Sequence, residues 1–261
     1  MTESGHGSLP EGSAGSAVEA AVSQRARTAM ESFASAGSAR SSGSTTAGPS
    51  EGLLAGLRHH LLAGETHYPD RPGMGELRRR VGEALPDLGF PAREPDGVLI
   101  TQGEGESLFA TILGLGGGEG AAIVAQSGSR HQRLLDWMRV RVTEPGTDAA
   151  SEAEAAFHLI EYEAGAAIPE DGNAPATPRL VQVHAIGDRL FGGQAEAASA
   201  PADAIVIGSL HGLEGMHPFS LGFVAAPVAV RPRIAKWKQA SSICSPAPSQ
   251  RAALWALGVR P

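Results

Sequence analysis

Lysine is almost missing from this chain. Of 21 basic residues only Lys236 and Lys238 are lysines, so chemistry that runs through a lysine imine has two candidates and no more. Both fall in a basic helical stretch where such residues are expected to be solvated. Cysteine is scarcer still: Cys244 stands alone, which excludes an internal disulfide framework and fits a reducing compartment. It reads as a small buried residue rather than a nucleophile. There is no uncharged apolar run of about 18 residues, and Met1 to His6 hold no basic stretch leading into an apolar one. No membrane association is expected, and the default compartment is the cytoplasm. A net charge of −7 leaves no case for nucleic-acid binding. What is present is 261 residues, 42% hydrophobic with 34 glycines and 18 prolines: enough for one substantial core, with part of the chain as small-residue linker.

Residues 1–50 contain 29 Ser, Gly and Ala, too little apolar side chain to offset the entropy of ordering. Within them Val18, Val22, Ala26, Ala29 and Phe33 recur at spacings of three and four, predicting one helix over 17–36 in an otherwise loose arm. From residue 51 apolar periodicity becomes dense. Leu53, Leu54, Leu57, Leu61 and Leu62 predict a helix, residues 64–73 break it, and Leu77 to Leu85 predict another. Strands are expected at 98–101, 121–125, 180–183, 204–207 and 223–230, and helices at 107–115, 234–239 and 249–257. Short buried strands alternating with helices are the pattern of a mainly parallel α/β sheet. Residues 144–171 hold eight acidic and no basic residues, while 228–261 hold six basic and no acidic ones; both read as solvated surface.

Three segments carry a resemblance. Residues 66–78 (THYPDRPGMGELR), 101–108 (TQGEGESL) and 208–227 (GSLHGLEGMHPFSLGFVAAP) are similar, in order and spacing, to the opening segment, the phosphate-binding turn and the lysine loop of the fold-type I aminotransferases, which depend on pyridoxal phosphate (PLP). The resemblance covers 51–257, with 258–261 as a short tail. It implies an α/β fold of the aspartate aminotransferase type, a PLP-transferase large domain with a mainly parallel mixed sheet between helices. Because the chain ends soon after the helix containing Gln250, the small domain is expected to be largely absent.

In that family a lysine holds PLP as an imine, an aspartate keeps the pyridine nitrogen protonated, and a helix N-terminus receives the phosphate. Matched position by position, the imine lysine falls on Gly212, the phosphate-clamping arginine on Ser220, and the pyridine aspartate on His184. The tyrosine that reaches the cofactor's 3′-oxygen falls on Gly187. The aromatic that stacks on the ring falls on Ser129, and the asparagine of the Asn-Pro-x-Gly turn on Tyr162. Ser209 matches the phosphate serine. Gly103, Glu104 and Gly105 form the phosphate turn, where the Glu104 carboxylate is an unfavourable neighbour for a dianion. Tyr68 matches the tyrosine that in the family crosses a dimer interface to the neighbouring subunit's phosphate.

The resemblance therefore implies PLP while the matched residues argue against it, and no cofactor is expected. The leading reading is an aminotransferase-like pseudoenzyme acting as a non-catalytic, dimerising or ligand-binding partner, paired with itself or with another aminotransferase-like chain. One alternative is an enzyme with PLP-independent chemistry built on His184 and His211, or on a metal held by His211, Glu214 and His217, whose spacing of three and six differs from the zinc-protease helix. A second is a residual PLP-binding aminotransferase of amino-acid or secondary metabolism. The glycine run at 114–120 follows a helix and lacks the Gly-Lys-Ser/Thr of a P-loop, so it reads as a turn. No Gly-x-Ser-x-Gly elbow supports a serine hydrolase. Trp137 reads as core.

Overall fold

A computed structural model describes residues 48–116, 121–125, 131–162, 179–183, 202–210, 213 and 216–259, with backbone alone at 161, 162, 179–183 and 217. The chain divides into Met1–Thr45 and Thr46–Pro261, and all of these residues belong to the second unit. The helix expected at 17–36 lies outside them.

Among the described residues seven strands form one sheet: β1 (Val98–Thr101), β2 (Ala122–Ala125), β3 (Arg141–Thr143), β4 (His158–Tyr162), β5 (Arg179–Val183), β6 (Ile205–Ser209) and β7 (Gly222–Ala225). Their order is β1-β7-β6-β5-β4-β2-β3. The pairs β6·β5, β5·β4, β4·β2 and β2·β3 are parallel, and only β7 runs against its neighbours β1 and β6. Strands β1, β2, β6 and β7 are buried along their whole length, which is why they read as unbroken apolar runs rather than as alternating ones.

Side chains on successive strand residues point to opposite faces, and two separate cores result. Val98, Ile100, Val206 and Phe223 meet α1 (Glu51–Leu62), α2 (Gly75–Ala84) and α7 (Ala247–Ala256) through Leu53, Leu77, Val81 and Leu254. Leu99, Ile123, Ile205 and Val224 meet α3 (Glu104–Gly114), α4 (Gln132–Trp137) and α6 (Arg231–Ser242) through Leu108, Ile112, Leu135 and Ile234. Two glycines set how closely the helices approach. A Cβ at Gly56 would fall inside the Trp255 indole, and one at Gly114 would lie 2.8 Å from the Ile234 Cα. Helix α1 begins where Ser50 accepts the Leu53 N–H at 3.2 Å, satisfying one of the donors every helix start leaves unpaired.

The expected helices and strands from residue 51 onward are present, with shifted ends. The helix expected at 107–115 starts three residues earlier, at Glu104, and the strand expected at 223–230 stops at Ala225, where Ala226-Pro227 removes a ladder donor. Four elements went unforeseen: α4 and β3, which precede the acidic region, and α5 (Ala149–Ala153) and β4 within it. Two side-chain expectations are corrected. Trp137 is 72% exposed, because short α4 turns Leu135 inward and places the residue two positions on at the opposite side. Lys238 is 1% exposed, because it follows Ile234 by four residues and shares its buried face. Cys244 is buried, as expected. Among the described residues no helix is long and apolar enough to cross a membrane.

Candidate functional site

In a parallel sheet, ligands bind beyond the carboxyl ends of the strands. Here β1, β2, β4, β5 and β6 all end at one edge, and antiparallel β7 starts there. That edge gathers Thr101 to Gly105, Tyr162, Ser209 and Ser220. Ser129, His184, His211, Gly212 and Glu214 lie outside the described residues. His217 opens a short 3₁₀ turn, His217–Phe219. Of the three residues weighed as metal ligands, His211 and Glu214 therefore lie outside the described residues. Among the described residues no group of three or more His, Cys, Asp or Glu could hold a metal ion.

The turn from β1 into α3 is built tightly. Gly103 has φ 90°, open to glycine at little cost, and a Cβ there would sit 3.1 Å from the Ser220 hydroxyl. Behind it a Cβ on Gly222 would lie 2.6 Å from the Gly103 carbonyl carbon and 2.8 Å from the Gly208 oxygen. Backbone thus packs on backbone where the turn crosses β6 and β7. Buried Thr101 donates to the Gly103 carbonyl at 3.0 Å, its oxygen lies 2.7 Å from the Ser107 hydroxyl, and Ser107 donates to the Phe223 carbonyl at 3.1 Å. Ser209 ends β6, is nearly buried and pairs in register with Gly222. Ser220 holds a left-handed conformation at φ 41°, and Tyr162 ends β4 opposite Val183. Gly103, Glu104, Ser209 and Ser220 thus share one locale.

Among the described residues, the helix start that would receive a phosphate carries carboxylates. Glu104 opens α3 with its side chain 10% exposed, and its Oε1 lies 3.8 Å from Nε2 of His131. Glu106 accepts the Gln102 N–H at 2.6 Å and the Ser241 hydroxyl at 3.0 Å. The helix start, which favours an anion, therefore already has two carboxylates of its own. A dianion brought within about 4 Å of another anion is repelled by about 4 kcal/mol or more in a poorly hydrated site. The described side chains at this helix start do not fit the phosphate of PLP. His131 was not foreseen from the sequence; its one signal is a place six residues past a strand candidate, just before a helix.

Lys238, expected to be solvated, lies on α6, which runs beside α3. Among the described residues its Nζ has no hydrogen-bond partner. Burial pushes the amine below the usual lysine range, opposed by the charges of Glu106 and Cys244. Tyr68 projects from the loop after α1 and is 83% exposed.

No protein-family profile and no curated protein matches the sequence. Solved structures do match. The chain is similar to YbdL from Escherichia coli, for which a methionine aminotransferase function is described, at 16% identity and TM-score 0.63, over 81% of this chain and 64% of that one. It is similar to an aminotransferase from Mycobacterium tuberculosis at 22% identity and TM-score 0.64, over 83% and 66% of the two chains. A Thermus thermophilus aspartate aminotransferase mutant gives 16% identity and TM-score 0.66, over 83% and 67%. The chain thus spans about two thirds of the length of these structures. Strand order, the helix-opening turn after β1 and these likenesses lead to one conclusion: the protein carries the aspartate aminotransferase-like fold of the PLP-dependent transferases.

Proposed function

We propose that this chain is a cytoplasmic aminotransferase-like protein without PLP-dependent transamination, serving as a non-catalytic partner that dimerises through the face carrying α1 and Tyr68. The observation that carries the reading is Glu104, a mostly buried carboxylate held beside His131 at the helix start where the fold's phosphate would sit. The sequence adds glycine at 212, where the resemblance places the imine lysine. Support for pairing comes from the outer side of α1, where Leu54, Leu61 and Leu62 are exposed on the same helix that leads to Tyr68. Such an apolar stripe on a surface helix marks an association face. Adding PLP and an amino acid to the purified chain tests the loss of chemistry. No imine absorbance band and no keto-acid product are expected, and either one would overturn the reading. A second reading, histidine-based chemistry without PLP, is favoured by the same 3.8 Å pair, since a carboxylate beside an imidazole makes an acid/base group. It predicts that His131→Ala removes a ligand-induced rise in Tm seen for the unaltered chain.

A further inference from the structure

We infer that helix α7 latches the Tyr68 loop into one shape, and that this latch sets how tightly the chain pairs with a second copy of itself. The inference rests on the dimer reading above and adds the residues that regulate it.

The loop between α1 and α2 has an exposed tip, Thr66 to Arg71, yet both of its ends are tied to neighbouring residues of α7. At the near end the Glu65 carboxylate meets the Arg251 guanidinium at 2.5 Å and the His60 ring at 3.2 Å. At the far end fully buried Gln250 accepts the Met74 N–H at 2.7 Å, while its own amide donates to the Ser245 carbonyl at 2.8 Å. The Ile100 N–H donates to the Pro72 carbonyl at 2.8 Å, joining the same end to β1. Gly73 closes the turn at φ 107°, donating to Asp70 at 2.8 Å, and a Cβ there would press 2.6 Å from the Ile100 Cβ. The tip between these ties buries little: His67, Tyr68, Asp70 and Arg71 are all exposed. Packing of the tip itself does not account for so much anchoring. The anchoring does present Tyr68 in a defined place.

The occupant is a second copy because the tip is self-complementary. Asp70 and Arg71 are consecutive and both exposed, and a two-fold axis passing between them sets each charge against the opposite one of its counterpart. Tyrosine and arginine are the side chains that most often anchor interfaces, and exposed Leu61 and Leu62 adjoin them in the chain. Holding the loop in advance removes an ordering cost from association. Releasing even one loop residue costs about as much as a tenfold change in affinity.

The experiment measures self-association of the full chain by sedimentation equilibrium for the unaltered protein, Tyr68→Ala, Arg251→Gln, and the swap Glu65→Arg with Arg251→Glu. Hydrogen exchange at 66–71 reports loop order separately. Expected are a dimer for the unaltered chain, loss of it in Tyr68→Ala, and at least tenfold weaker pairing with faster loop exchange in Arg251→Gln. The swap should restore both. If the unaltered chain stays monomeric at every concentration, the dimer reading fails and the latch with it. If Tyr68→Ala dissociates while Arg251→Gln pairs normally, the dimer reading stands and the latch is refuted. Weaker pairing without faster loop exchange, or a swap that rescues neither property, also refutes the latch.

Discussion

Replacing Lys238 by methionine should stabilise the protein. The residue is 1% exposed, and among the described residues its Nζ has no hydrogen-bond partner. A buried polar group left unsatisfied costs about 1–3 kcal/mol, and methionine keeps most of the stem's volume and packing. Glu106 is not orphaned by the change, since it retains the Gln102 N–H and the Ser241 hydroxyl. For a domain of this size the gain corresponds to a rise in Tm of about 2–10 °C. The pH dependence gives a second check. Burial lowers the folded-state pKa, so between that value and the unfolded value near 10.4 the unfolded chain binds more protons, and stability rises with pH. The penalty of Lys238 is then full below the folded pKa and fades as pH climbs through that window. Thermal unfolding of both proteins from about pH 6 to about pH 10 should show an advantage for Lys238→Met that is largest at low pH and shrinks towards the upper end. A Tm below that of the unaltered protein throughout, or a gap that does not change with pH, would refute the reasoning.

Gly56→Ala should destabilise despite the better helix propensity of alanine, because the new methyl enters the Trp255 ring; overpacking of this kind costs about 1–3 kcal/mol, read as a lower urea midpoint with an unchanged slope. Glu76 is held at about 2 by hydrogen bonds from Arg79 and Arg80 and by their charges. A lowered carboxylate stabilises above its unfolded value and loses that contribution as pH falls towards the folded one. Glu76→Gln should therefore show a shallower loss of Tm between about pH 4.5 and about pH 2, by under about 1 kcal/mol because the pairs are exposed, and equal slopes in the two proteins would count against it.

The buried strands were legible because their runs are apolar throughout, and the helices from residue 51 because leucines recur at helical spacing. Helix α3 began earlier than its apolar pattern because Glu104 and Glu106 belong to its first turn, where carboxylates are favoured by the helix dipole rather than by burial. β3 and α5 were invisible: three and five residues long, they are fixed by pairing with β2 and by the Asp148 cap, and neither leaves a periodic signal. β4 was hidden inside a stretch notable for acidic charge. At the site, Gly103, Glu104, Ser209 and Ser220 were singled out from motif order alone, and the structure sets them near one another without testing their roles. His131 escaped notice and Lys238 was expected in solvent, because the approach of one side chain to another across elements has no trace in spacing along the chain.

The two cores on opposite faces of the sheet have a consequence for descent. The Tyr68 loop is held by α1, α7 and β1, through Leu53, Ile100 and Leu254 on one face. Glu104 opens α3, which packs through Leu108 and Ile112 on the other. Substitutions that share no partners add independently, so a change at the start of α3 need not loosen the loop on the far side. The two faces can therefore vary in sequence separately, each held to its own core.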